Sequence, residues 1–132
     1  MPRSYKQTYG EATGELQVWV MGEDFPIPPD TNPIGEVGVA ISGDLCTVYG
    51  DLGNYKIRDD ITIDLPDAVA PMFAVCQILA VVPAGESTGH PAILRVEKGP
   101  SGSYMHIALN DGTKIPAGGT LLRFGQANYL RA

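Results

Sequence analysis

The sequence predicts an all-β fold: an antiparallel β-sandwich of jelly-roll kind or a β-barrel, with extended terminal arms. Three observations carry that expectation. Apolar and polar residues alternate over many short runs, which is the period of a half-buried strand. Glycine and proline, 16 and 11 of the 132 residues, punctuate those runs every few positions. They leave little room for long helices. No stretch alternates strand and helix patterns, so a parallel sheet is not expected. A chain of this length buries roughly 65–70% of its unfolded surface and sustains one core without disulfide or metal staples.

Residues 1–13 read as an N-terminal arm, because Tyr5 and Tyr9 stand among polar neighbours with no period. A single β domain is expected over 14–124 and a tail over 125–132. GELQVWVMG opens the domain as a strand, with Leu16, Val18 and Val20 on one face and Gln17, Trp19 and Met21 on the other. EDFPIPPDTNP follows, four prolines in eleven residues. Each proline fixes φ and removes a donor, so this is an extended, stiff loop. Val37, Val39 and Ile41 then alternate with Gly38, Ala40 and Ser42, giving a strand with one bulky and one small face. The small face suits close approach of another sheet or of a partner's backbone.

Ser42-Gly43-Asp44 turns the chain into LCTVY, and GDLGN over 50–54 reads as another turn. Ile61, Ile63 and Leu65 alternate with Thr62 and Asp64 in a strand that ends at Pro66. The run 67–85 is ambiguous. As a helix it starts near Asp67, with Pro71 at the edge of its first turn; as a strand it runs from Met72 to Val82. The β-branched finish and the lack of a polar face favour the strand, although periodicity alone does not settle it. PAILRVEKG and YMHIALN both alternate, with Leu94 and Val96, then Met105, Ile107 and Leu109, on one face. Asn110-Asp111-Gly112-Thr113 carries Asp-Gly, a hairpin signal. Ile115-Pro116-Ala117-Gly118 repeats the pattern of Val82-Pro83-Ala84-Gly85, and both read as turns; LLRF reads as a strand. The tally is roughly seven to nine short strands, the pattern of a sandwich or barrel.

Several functions lack their residues. The formal charge is −6 and no lysine or arginine cluster exists, so neither nucleic acid nor an anionic membrane is an expected partner. The apolar region 68–82 is short and contains Pro71 and Gln77, so it is not a membrane span. The first ten residues lack the apolar core of a signal peptide. A phosphate loop needs its lysine after the glycines and a helix beyond; Lys114 precedes them and a strand follows. Cys46, Cys76, His90 and His106 are too scattered for a zinc site, and the two cysteines are expected as buried free thiols. Asp59, Asp60, Asp64 and Asp67 form the densest carboxylate group. Asp60, Thr62 and Asp64 share one strand face, which a solvated surface explains as well as calcium binding or acid–base chemistry does. No catalytic residue and no cofactor is assigned.

The ends carry more information. Tyr5 and Tyr9 at the start, and Phe124, Tyr129 and Leu130 at the finish, are apolar anchors in segments that otherwise look like tails. Free tails normally lack them. They either pack back on their own domain or dock on neighbouring subunits.

A small, acidic, glycine- and proline-rich all-β chain with Pro-Ala-Gly turns and arm-like ends resembles the decoration (cement) proteins of tailed-bacteriophage heads. The resemblance covers overall character along the whole chain and no diagnostic motif. It implies a structural protein without enzymatic activity, made in the host cytoplasm and held on the capsid exterior. Its partners would be the major capsid protein and further copies of itself. The segments expected to reach a partner are the arms and the proline loop, through Tyr5, Tyr9, Phe25, Ile27, Phe124, Tyr129 and Leu130. Other readings remain: a carbohydrate-binding sandwich with an exposed aromatic row, a tail or neck structural protein, or a small β enzyme in which Asp60, Asp64 or His106 converge in one deep pocket.

Overall fold

The computed structural model describes residues 2–9, 12–53, 59–82, 87–115, 121–123 and 127–132. Ten strands follow in order: β1 (Arg3–Tyr9), β2 (Ala12–Val20), β3 (Asn32–Ser42), β4 (Leu45–Gly53), β5 (Ile61–Leu65), β6 (Val75–Val82), β7 (His90–Gly99), β8 (Gly102–Leu109), β9 (Leu121–Arg123) and β10 (Ala127–Leu130). A 3-10 turn, Asp67–Val69, precedes β6. Every strand pairing is antiparallel.

The strands form two sheets. The first runs β1-β2-β3-β4-β10 and the second β6-β7-β8-β5. Short β9 lies at the seam: Leu122 and Arg123 pair with Leu52 and Asp51 of β4, while Leu121–Arg123 pair with Val82–Ala80 of β6. The path ends at β1 and β5 without closing, so the molecule is a β-sandwich and not a barrel. The alternation read from the sequence sets the inner faces. Val37, Val39, Ile41, Cys46, Val48 and Leu52 of the first sheet face Ile61, Ile63, Leu79, Val81, Leu94, Val96, Met105 and Ile107 of the second, all within one buried cluster. Burying each large aliphatic side chain stabilises the fold by about 1.5–3 kcal/mol. The ambiguous run resolves as strand from Val75 onward, preceded by the 3-10 turn.

Four expectations are corrected. Residues 3–9, read as an arm, are hydrogen-bonded along β2 from Arg3↔Val18 to Tyr9↔Ala12. The C-terminal tail is β10, a paired strand. The Asp-Gly sequence after β8 makes a turn, with Gly112 at φ 76° and its amide donating to Leu109 O at 3.2 Å, but no hairpin. Both edges of β8 are already filled by β7 and β5, so the chain must leave that sheet. It returns as β9 at the seam. Ser42-Gly43-Asp44 does turn as expected, through a two-residue loop that sets Ser42 opposite Leu45.

The fourth correction is GDLGN, which is not a turn: β4 continues through it to Gly53, and Asn54 lies outside the described residues. Ile34 pairs with Asp51 and Gly38 with Tyr49, so Gly35, Glu36 and Val37 bulge opposite Gly50 alone. Gly50 adopts φ +110°, and a Cβ there would stand 2.6 Å from Glu36 O and 2.8 Å from Val37 Cα. The glycine's freedom serves a bulge rather than a reversal. The repeated Pro-Ala-Gly turns, at 83–85 and 116–118, fall outside the described residues. Gly50→Ala combines positive φ with a backbone clash and is expected to cost roughly 3 kcal/mol. Urea unfolding of the two proteins checks this, and equal midpoints would contradict it.

Candidate functional site

The C-terminal strand and its neighbours present a group of exposed apolar side chains. On one side β10 pairs with β4, from Ala127↔Val48 to Leu130↔Leu45, and Arg131 N donates to Asp44 O at 2.8 Å. On the other side the strip 70–72 meets it. Met72 N donates to Leu130 O and Ala132 N to Ala70 O, both at 2.8 Å, around a Pro71–Arg131 bridge. Gln77 of β6 holds the middle. Its Oε1 accepts from Asn128 N at 2.9 Å and its Nε2 donates to Asn128 O, so one carboxamide satisfies a residue whose backbone faces away from β4.

Alternation then sorts the side chains. Ala127 and Tyr129 turn inward; Asn128 and Leu130 turn outward. Tyr129 is 4% exposed, and its hydroxyl donates to Val69 O at 2.7 Å, tying β10 to the 3-10 turn. Burial raises the pKa of this phenol, with Cys46 beside it adding to the effect; burial likewise raises the Cys46 thiol. Outward, Leu130 and its partner Leu45 are both exposed, as are Met72 and Phe73, the latter 60%. Backbone bonds therefore bring Leu45, Leu130 and Met72 to one end of the sandwich, with Phe73 next to Met72 in the chain.

The outer face of the second sheet is the other candidate. Register lays Cys76, Arg95, His106 and Thr62 in a row across β6, β7, β8 and β5. The next row is Ile78, Ile93 and Ala108. His106 Nε2 lies 3.0 Å from Asp60 Oδ2. Two shallow concavities mark this face. One of about 260 Å³ is lined by Ile93, Arg95, His106, Ala108, Leu109, Asn110 and Gly112. The other, about 180 Å³, is lined by Cys76, Gln77, Ile78, Ile93 and Asn110. The surrounding carboxylates are engaged. Glu97 accepts from the Tyr104 hydroxyl at 2.7 Å, which raises that phenol's pKa. Asp111 accepts from Thr113 Oγ1 at 2.6 Å and from Thr113 N at 2.9 Å, and the hydroxyl bond foremost lowers its pKa.

The residues expected to reach a partner divide. Leu130 and Ile27 are exposed. Phe25 is 5% exposed and belongs to the core, with Gly22 N donating to its carbonyl at 2.7 Å, and Tyr129 is buried as described. These two are anchors within the chain, because each stands on the inward phase of a bonded segment. Tyr5 and Tyr9 sit on β1 opposite Leu16 and Ala12, with their backbone alone among what is described; Phe124 lies outside the described residues. Of the acid–base candidates, His106 and Asp60 meet, while Asp64 stands opposite Tyr104, one row further along the strand. They line an open sheet face rather than a deep pocket. Both cysteines are free, but Cys76 is exposed on the outer face of β6, contrary to the expectation of two buried thiols. Among the described residues no three His, Cys, Asp or Glu side chains gather as a metal site.

Leu45, Met72, Ile78 and Arg95 were not singled out in the sequence. Leu45 and Ile78 lie in apolar runs whose outward phase carries no polar marker, so only the register reveals it. No protein-family description, curated protein or solved structure matches this chain.

The proline loop is fastened rather than free. Glu23 N and Asp24 N donate to Val20 O, and Asp24 Oδ2 accepts from Val20 N at 2.8 Å. Thr31 Oγ1 donates to Pro28 O at 2.8 Å. Above it, Arg3 of β1 pairs with Glu23 at 3.3 Å and with Glu36, whose other oxygen accepts from Tyr49 OH at 2.9 Å. The Val20 amide holds the Asp24 carboxyl below its ordinary pKa of 3.8, outweighing the opposing effect of desolvation. A depressed folded pKa means stability that is present above the unfolded value and lost as pH falls through the folded one. Asp24→Asn is therefore expected to be less stable than the parent at pH 7, with the difference shrinking as the pH falls below 3.8 and through the folded pKa. Thermal melts across that range check it, and a difference independent of pH would contradict it.

Proposed function

We propose that this chain is a structural adhesion protein of the decoration (cement) kind carried on tailed-bacteriophage heads, binding major capsid subunits and copies of itself. The observation that carries the reading is the exposed apolar end: Leu45, Leu130, Met72 and Phe73 presented from bonded backbone. Isolated exposed leucines mean little, but several gathered on rigid backbone favour a protein contact. Rigidity matters because an ordered surface loses little entropy on docking. A clamp of this kind gains strength from repetition, since each copy adds buried area and many copies act together on one shell.

The test is co-sedimentation with empty expanded heads produced from the genome that encodes the chain. The parent protein is expected to sediment with the heads. Leu45→Glu combined with Phe73→Glu is expected to reduce occupancy by at least about tenfold while changing stability by no more than about 0.5 kcal/mol, as surface substitutions do. Failure of the parent to sediment overturns the decoration reading. Equal occupancy by parent and variant overturns the apolar end as the contact.

A further inference from the structure

The two concavities on the outer face of the second sheet share Ile93 and Asn110, so they form one groove crossing β6, β7 and β8. Neighbouring strands lie about 4.8 Å apart, which makes it roughly 10 Å across. Its ends differ in chemistry. At the β6 end stand Ile78, 80% exposed, and Cys76. Toward β8 stand Arg95 of β7 and His106 of β8. Among the described residues lining either concavity, Arg95 is the one formally charged side chain.

No carboxylate among the described residues meets its charge. Arg95 makes no ion pair among the described residues, although the protein is acidic overall. The carboxylates near the groove have other partners: Asp60 takes His106, Glu97 takes the Tyr104 hydroxyl, and Asp111 takes Thr113. Asp64 lies on β5, two strands from Arg95. An exposed guanidinium beside an unpartnered aliphatic stripe is complementary to a carboxylate attached to an aliphatic group.

Depth decides what bears that carboxylate. Small-molecule sites are typically 300–1,000 Å³ and enclose most of their ligand. This groove is shallow and open along the sheet face, so a free metabolite would bury little of itself. An extended polypeptide lies along such a face and gathers area from both ends. We infer that the groove docks an extended segment of a partner protein, with an aliphatic side chain over Ile78 and Ile93 and a carboxylate on Arg95. This rests on the reading of the chain as a protein-binding module, but it uses a face separate from the apolar end.

Selection of random nonapeptides by messenger-RNA display on the full chain tests the inference. A consensus pairing Leu, Ile or Val with a nearby Asp, Glu or C-terminal carboxylate is expected. Its binding is expected to weaken at least about tenfold on Arg95→Ala and on Ile78→Ser, and to survive Leu45→Glu with Phe73→Glu. Both groove residues are solvent-facing, and a thermal melt verifies that each variant is folded. Amide shifts confined to Ile78, Ile93, Arg95 and Asn110 in NMR titration would support the placement. No consensus, a basic consensus, or binding indifferent to Arg95→Ala would overturn it. Failure here with intact head binding removes only the groove. Peptide binding without head binding removes only the decoration reading.

Discussion

One side chain stands in for a strand at the join between the two sheets. Gln77 meets both the amide and the carbonyl of Asn128, the groups a neighbouring strand would have satisfied. Without it the middle of β10, beyond the reach of the strip 70–72, would leave its polar backbone unmet at the join. Among the described residues β9 contributes three to the seam, and β10 with its lateral ties adds to them. The buried Tyr129 hydroxyl on Val69 O completes the fastening, and leaving that carbonyl unmet would cost about 1–3 kcal/mol.

The same constraint produces the surface. Once Tyr129 must face inward, the two-residue period of a strand sends Leu130 outward, and pairing sets it beside Leu45. The bonds from the strip 70–72 bring Met72 and Phe73 to the same end. Adhesion and stability are thus written on alternate residues of one strand. A comparable division holds on the second sheet. Met105 and Ile107 of β8 fill the core, while His106 and Ala108 between them line the outer groove.

Much of this architecture was legible in the sequence, because alternation is a local property. The strands around Ile61, Leu94 and Ile107 follow their patterns, and Met72 to Val82 is strand from Val75. What alternation does not encode is which strands become neighbours. Asp111-Gly112 is a hairpin signal with no hairpin because β8 already has two partners. Gly50 reads as a turn residue but accommodates a bulge imposed by β3. The C-terminal segment looked like a tail because its bonding partners lie far along the chain, Asn128 meeting Thr47 and Gln77. The candidate surfaces were hidden for the same reason. Cys76 and Ile78 sit in a run with no polar phase, and Arg95 gains its meaning only from neighbours placed by register.

The account stands on the C-terminal strand being integral to the fold, and native-state hydrogen exchange of the Asn128 amide measures that directly. The expected result is exchange as slow as that of the β8 amides, opening only when the whole domain unfolds. Exchange at the rate of a fraying terminus, with β8 still protected, would show β10 to be a loose tail and would contradict the account.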